Sequence, residues 1–149
     1  MIIKAEETNS TLNEQYIWRY EAVLRTAEGR DVEVVFHTNT ASLWPLENAI
    51  RIPAQDQPFV VKYTPGFPRN FVILTNESPH GIAQARASAR ERVEVAARKL
   101  HFSPGNADFR ADYRRELETW LREHGNDPQQ QPDARRYRAE LDALDAIDR

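Results

Sequence analysis

The chain has 149 residues, 40 % of them apolar and 29 % charged, with a formal net charge of −3. That is enough for one ordinary domain or two small ones sharing a core, and the charge balance argues against a surface built to attract nucleic acid. The lack of cysteine excludes disulfide frameworks, thiolate zinc sites, iron–sulfur clusters and a thiol nucleophile, while three Trp, five Tyr and six Phe argue against disorder.

No run approaches the roughly 20 apolar residues of a membrane span, and the opening MIIKAEETNS lacks the apolar stretch of a signal peptide. Residues 2 to 7, IIKAEE, read as a short first strand. In YIWRYEAVLRT, residues 16 to 26, Tyr16, Trp18, Tyr20, Ala22 and Leu24 alternate with Ile17, Arg19, Glu21 and Val23. The first set is almost wholly apolar and is expected to face the core. AEGR, residues 27 to 30, is a turn, with Gly29 able to take the positive φ of a tight hairpin. DVEVVFHT follows, alternating through Val32, Val34 and Phe36, so residues 16 to 38 form a hairpin.

ASLWPLENAIRI, residues 41 to 52, reads as a turn or a short helix broken at Pro45, then a brief strand at 49 to 52. Trp18 and Trp44 are core candidates. PAQDQP, residues 53 to 58, is a proline-closed loop. In FVVKYTPGFPRNFVIL, residues 59 to 74, two apolar runs flank a turn. Pro65 cannot continue a central ladder, Gly66 lets the chain swing, and Pro68 holds Phe67 extended. The plain reading is a connecting loop; the functional one places Phe67 and Arg69 at its tip as a partner contact.

Helical periodicity begins near Ile82, with Ala85, Ala89, Val93, Ala96 and Leu100 at spacings of three or four. HFSPGN breaks that helix, and Asn106 is placed to cap the next. Phe109, Tyr113, Leu117, Trp120 and Leu121 make a stripe read as the seam against the first helix, with a partner groove at Phe109, Tyr113 and Trp120 as the alternative, and Gly125 as C-cap. DPQQQP is a polar linker. A third helix over 133 to 148 carries Tyr137, Leu141, Leu144 and Ile147, a narrow face that predicts weak packing or fraying. Residues 1 to 80 hold 7 basic and 10 acidic side chains, and residues 81 to 149 hold 13 of each. The back half therefore reads as helices laced with opposite charges.

Period two in front and period 3.6 behind predict an α+β chain. We expect a small antiparallel, barrel-like β-domain of five or six strands over residues 1 to 76. A segment of two to three helices follows over 77 to 149, near 82–101, 106–124 and 133–148.

Chemistry-bearing patterns are sparse. His37, His80, His101 and His124 have no metal-ligand spacing; His101 and His124 suit helix C-termini, where the dipole favours positive charge. No GxSxG surrounds Ser42, Ser78, Ser88 or Ser103, and no glycine-rich phosphate loop occurs. Arg110, Arg114 and Arg115, and likewise Arg135, Arg136 and Arg138, make basic edges that suit an anion contact. Acidic neighbours, including Glu118 at i,i+4 from Arg114, favour a solvated, self-paired face.

Two stretches carry a resemblance: IIKAEE followed by YEAVLRTAEGRDVEVVF, and FVVKYTPGFPRNFVI. With Gly29 in the hairpin and Val60, Val61, Tyr63, Pro65 and Pro68 matching V-x-Y-x-P-x-x-P, residues 2 to 75 resemble the bacterial domain of unknown function 3592 family. The chain departs from that pattern at Gln57 and Pro58, where the family often has a glycine. The resemblance implies a β-domain displayed outside the cytoplasmic membrane beside transmembrane segments, so that this chain would be a soluble piece of a longer one. It implies no known activity. The helical part is similar in rhythm to tetratricopeptide helices, with Pro104 and Asn106 at the junction.

The reading is a non-catalytic protein-interaction module, the exposed part of a bacterial membrane-anchored protein, with Phe67, Arg69, Arg110 and Arg114 as partner contacts. A protein partner is expected; no cofactor, metal or nucleic acid is. Membrane attachment would come only through segments absent from this chain. The location would be extracytoplasmic, or cytoplasmic without the family resemblance. Two alternatives stand beside it: an immunity-type protein that neutralises a toxin, and an enzyme with a site assembled from scattered carboxylates and histidines.

Overall fold

The computed structural model describes residues 1–44 and 52–147. The fold is α+β, with six strands in two small sheets followed by three helices. Strands β1 (Ile2–Leu12), β2 (Gln15–Arg25) and β3 (Asp31–His37) form one sheet in that order. Strands β4 (Leu43–Trp44), β5 (Val61–Thr64) and β6 (Phe67–Leu74) form the other, in the order β4-β6-β5. Helices α1 (Pro79–Phe102), α2 (Ala107–His124) and α3 (Gln131–Ile147) complete the chain. Two compact units divide inside α1: residues 1–85 and 86–149.

In the first sheet, β1–β2 is an antiparallel hairpin that turns on Asn13 and Glu14, both at positive φ. β1 extends well past the expected residue 7 because this turn, and not the sheet edge, ends it. The β2–β3 hairpin was the most legible: Gly29 has φ +79° and its N–H donates to the Thr26 carbonyl at 2.9 Å. Ala22, Leu24, Val34 and Phe36 are buried as the alternation predicted. Phe36 stacks on Tyr20 at 5.2 Å and meets Phe71 of β6 edge-on at 5.7 Å, so both sheets contribute to one core.

The expected core face of β2 fades toward its start. Arg19 lies opposite His37, the last residue of β3, so Tyr16 and Trp18 run beyond the cover of that strand and stand exposed. Trp44 is exposed too, because it ends the two-residue edge strand β4. Neither Trp18 nor Trp44 is a core residue. β4 also departs from the antiparallel expectation: it pairs in parallel with β6, Leu43 opposite Ile73. The brief strand expected at 49 to 52 lies almost wholly outside the described residues.

TPGFPRN is a tight turn followed by an irregular strand start. Pro65 and Gly66, the latter at φ +81°, occupy the two central positions, the arrangement of a type II turn. The pairing then slips between Tyr63 opposite Phe71 and Thr64 opposite Phe67. Pro68 offers no N–H to the ladder there, and the Asn70 amide bridges the gap by donating to the Thr64 hydroxyl at 3.2 Å.

One wholly buried serine joins the end of this sheet to the first helix. The Ser78 hydroxyl accepts from the Val60 N–H at 2.9 Å and donates to the Leu74 carbonyl at 2.6 Å. Pro79 then starts α1 at the position where a missing N–H costs nothing. Gly81 is set so close to the preceding strand end that an added Cβ would overlap the Thr75 carbonyl oxygen.

The apolar stripe of α1 is buried from Ala89, inside the second unit, through Val93 and Ala96; Ile82 and Ala85, read as the start of the stripe, belong to the first unit and are exposed. Asn106 caps α2 as expected, its side chain accepting from the N–H groups of Asp108 and Phe109. Gly125 ends α2, but with φ −64° rather than a left-handed value. Its carbonyl takes donors from Gln131 and Arg138, both at 3.0 Å. The α2 stripe serves more than the seam against α1. Trp120 packs edge-on against Tyr137 of α3 at 4.7 Å between ring centres. The fraying expected of α3 is not found over its described residues: Ala134, Tyr137 and Leu144 are buried, and Tyr137 is the largest fully buried side chain among the described residues. One buried tyrosine, with Ala134 and Leu144 on the same helix, anchors a face that looked too narrow; burying it contributes about 2–3 kcal/mol. Only the far end behaves as expected, with Ile147 exposed.

Ion pairs staple the three helices. Arg86 pairs with Asp127, Arg90 with Asp133 at 2.6 Å, and Glu94 with Arg136 at 3.4 Å. Arg92 reaches Glu116 of α2 at 3.5 Å, and Arg114 of α2 reaches Asp145 of α3.

Candidate functional site

The four residues singled out as partner contacts belong in pairs to different units. Phe67 and Arg69 are not at a loop tip. The loop is only Pro65 and Gly66, and both residues lie in β6, exposed. Arg110 and Arg114 sit one turn apart on α2 with internal roles: Arg110 donates to the Pro104 carbonyl at 3.3 Å, and Arg114 pairs with Asp145. Among the described residues, no group of three or more His, Asp or Glu side chains is placed to hold a metal ion.

The helical unit does hold a concave surface, an open groove of about 510 Å³. Glu94, Ala97, Arg98, His101 and Phe102 come from α1, Tyr113 from α2, and Arg136, Tyr137 and Glu140 from α3. Helical spacing explains the α1 wall: 94, 98, 101 and 102 fall beside the stripe of buried Ala89, Val93 and Ala96 and half-buried Leu100, not on it. Phe102 is 89 % exposed, the most exposed large apolar side chain of the described residues.

The ionisable groups on the α3 side of this groove are tied to one another. Arg136 donates to Glu94 at 3.4 Å and to the Tyr137 hydroxyl at 2.9 Å, lies 4.7 Å above the Tyr137 ring centre, and approaches Glu140 at 3.7 Å. Tyr113 donates its hydroxyl to Glu140. Burial, and then the adjoining Glu140 carboxylate, push the Tyr113 phenol well above its ordinary pKa. Burial raises Tyr137 as well, opposed by the Arg136 hydrogen bond. Both phenols are thereby held protonated, Tyr113 donating to Glu140 and Tyr137 accepting from Arg136. The arrangement is suited to holding a surface in shape rather than to moving protons.

Sequence reasoning read Phe102 only as part of a helix break. The signal was there in its phase: an aromatic two residues after Leu100 falls off the apolar stripe, and a large apolar residue off the stripe is an exposed one. The Tyr113–Glu140 and Glu94–Arg136 contacts had no such signal, since they join residues 27 and 42 positions apart.

A second concavity of about 480 Å³ opens in the β unit, beside Val23, Leu24, Phe59, Val61 and Tyr63. The Tyr63 hydroxyl accepts from the Ala27 N–H at 2.9 Å, tying the β2–β3 turn to β5.

No family model matches the chain, and no curated protein and no solved structure matches it.

Proposed function

We propose that this chain is a non-catalytic protein-interaction module, and that the helical groove is its contact surface. One observation carries the reading. The carboxylates of Glu94 and Glu140 and the phenol of Tyr113 are engaged with Arg136 or with each other, while Phe102 projects 89 % exposed at the rim. An apolar ring held out from a rigid, self-satisfied polar wall is the kind of anchor that protein interfaces bury at their centre. Phe67, at 69 % exposure, is the corresponding ring of the β unit and a second contact in the same proposal.

The resemblance of residues 2 to 75 supplies the proposed setting, an exposed domain on the outer side of a bacterial cytoplasmic membrane. Apolar spans encoded on either side of this segment in its gene test that setting.

For the interaction itself, the test is affinity capture with the unaltered chain, Phe102→Ser and Phe67→Ser. A partner held by the unaltered chain and released by Phe102→Ser is the expected result. Identical capture by the unaltered chain and Phe102→Ser removes the groove from the proposal.

A further inference from the structure

We infer that the helical groove receives an acidic amphipathic peptide segment, with an apolar side chain laid on Phe102 and Ala97 and a carboxylate set on Arg98. This rests on the protein-binding reading of the same groove and names the class of partner.

Charge complementarity selects the occupant. Around Arg136, the carboxylates of Glu94 (α1) and Glu140 (α3) and the hydroxyl of Tyr113 (α2) are engaged with Arg136 or with one another, which leaves little there for an incoming charge. Further along α1, Arg98 is exposed and has no ion pair among the described residues, and exposed His101 lines the groove beside it. Arg98 also lies one helical turn from Phe102, at i,i+4, so the guanidinium and the exposed ring share one face. A guanidinium offers a planar fork to a carboxylate. A bound segment therefore gains most by presenting an acidic residue one turn from an apolar one. A basic segment would set like charge against Arg98. An anionic membrane is the other claimant for an exposed phenylalanine beside an arginine. The concave shape, walled by three helices, favours the peptide over a flat lipid surface.

The test uses the full chain and two synthetic helical peptides of about four turns. Both carry the same leucine face, one flanked by glutamates and the other by lysines. Binding is read by fluorescence anisotropy at low salt. The glutamate peptide is expected to bind about tenfold more tightly than the lysine peptide. Arg98→Glu is expected to reverse that order, and Phe102→Ser to weaken the glutamate peptide about tenfold. Both substitutions are at exposed positions, and an unchanged circular dichroism spectrum verifies the fold. Equal binding of the two peptides, with no effect of Arg98→Glu, overturns the acidic assignment while leaving the groove a protein-binding surface. Binding of neither peptide, or binding indifferent to Phe102→Ser, overturns both. Co-sedimentation with phosphatidylserine vesicles that the glutamate peptide does not displace overturns the inference in favour of a membrane surface.

Discussion

Replacing Ser78 with alanine isolates one buried hydroxyl. Ser78 is fully buried, and its oxygen is the acceptor for the Val60 N–H at 2.9 Å. In Ser78→Ala that donor loses its partner, at a cost of about 1–3 kcal/mol. The space vacated is that of one oxygen, too small for a replacement water with its own partners. The Leu74 carbonyl loses less, because it still accepts from the Ser78 N–H at 3.0 Å; that adds roughly 0.5 kcal/mol. The total is about 2–3 kcal/mol, which for a unit of this size lowers the midpoint of thermal unfolding by roughly 10 °C or more. Thermal unfolding followed by circular dichroism gives the midpoint, and amide hydrogen exchange resolved by NMR gives the location. Exchange at Val60 is expected to accelerate in the variant, and exchange in α2 and α3 to stay as it was. A midpoint within about 1 °C of the parent, together with an unchanged Val60 amide, would refute the account of Ser78 as the tie between sheet end and helix start.

Gly81→Ala forces a Cβ onto the Thr75 carbonyl oxygen, a backbone atom that cannot swing aside; urea unfolding is expected to show a loss of at least about 2 kcal/mol. Trp120→Ala removes the ring packed on Tyr137 and is expected to cost about 3–5 kcal/mol in the same assay, against no more than about 0.5 kcal/mol for an exposed-site control such as Phe102→Ser. Tyr113 has its pKa raised in the folded state, by burial first. Its stabilising contribution is therefore complete below the unfolded value near ~10 and is lost as pH climbs above it. Tyr113→Phe should flatten the alkaline fall in stability of the helical unit, and superimposable alkaline curves would contradict this. Glu6 is held below its ordinary pKa by hydrogen bonds from Lys4 and then Arg19, so its contribution is present above ~4.5 and fades as acid protonates it; Arg19→Gln should raise the Glu6 titration midpoint read by NMR.

What could be read in advance depended on the distance between interacting residues. The β2–β3 hairpin needed only the Val32–Val34–Phe36 alternation and Gly29, all local, and α2 needed only its stripe and Asn106. Trp18 and Trp44 were misplaced because alternation says which way a side chain points, not whether a neighbouring strand covers it. The parallel β4–β6 pair joins residues thirty positions apart, with only two residues of strand to announce it. α3 looked marginal because a stripe reports the width of an apolar face, while Tyr137 derives its burial from Trp120 on another helix. The groove was illegible for the same reason: it exists only once three helices have met, although the phase of Phe102 marked its rim.

The stapled helices carry a further consequence. Along α1 the signs run Arg86, Arg90, Glu94, and their partners run Asp127, Asp133, Arg136. Such surface pairs contribute little stability individually. Their order, though, acts as a vernier. Sliding the third helix by one turn in one direction confronts Glu94 with Asp133, and in the other confronts Arg90 with Arg136. Each misalignment exchanges an attraction for a repulsion, so the switch of sign between positions 90 and 94 selects a single alignment that greasy contacts among Ala89, Ala134 and their neighbours would leave degenerate.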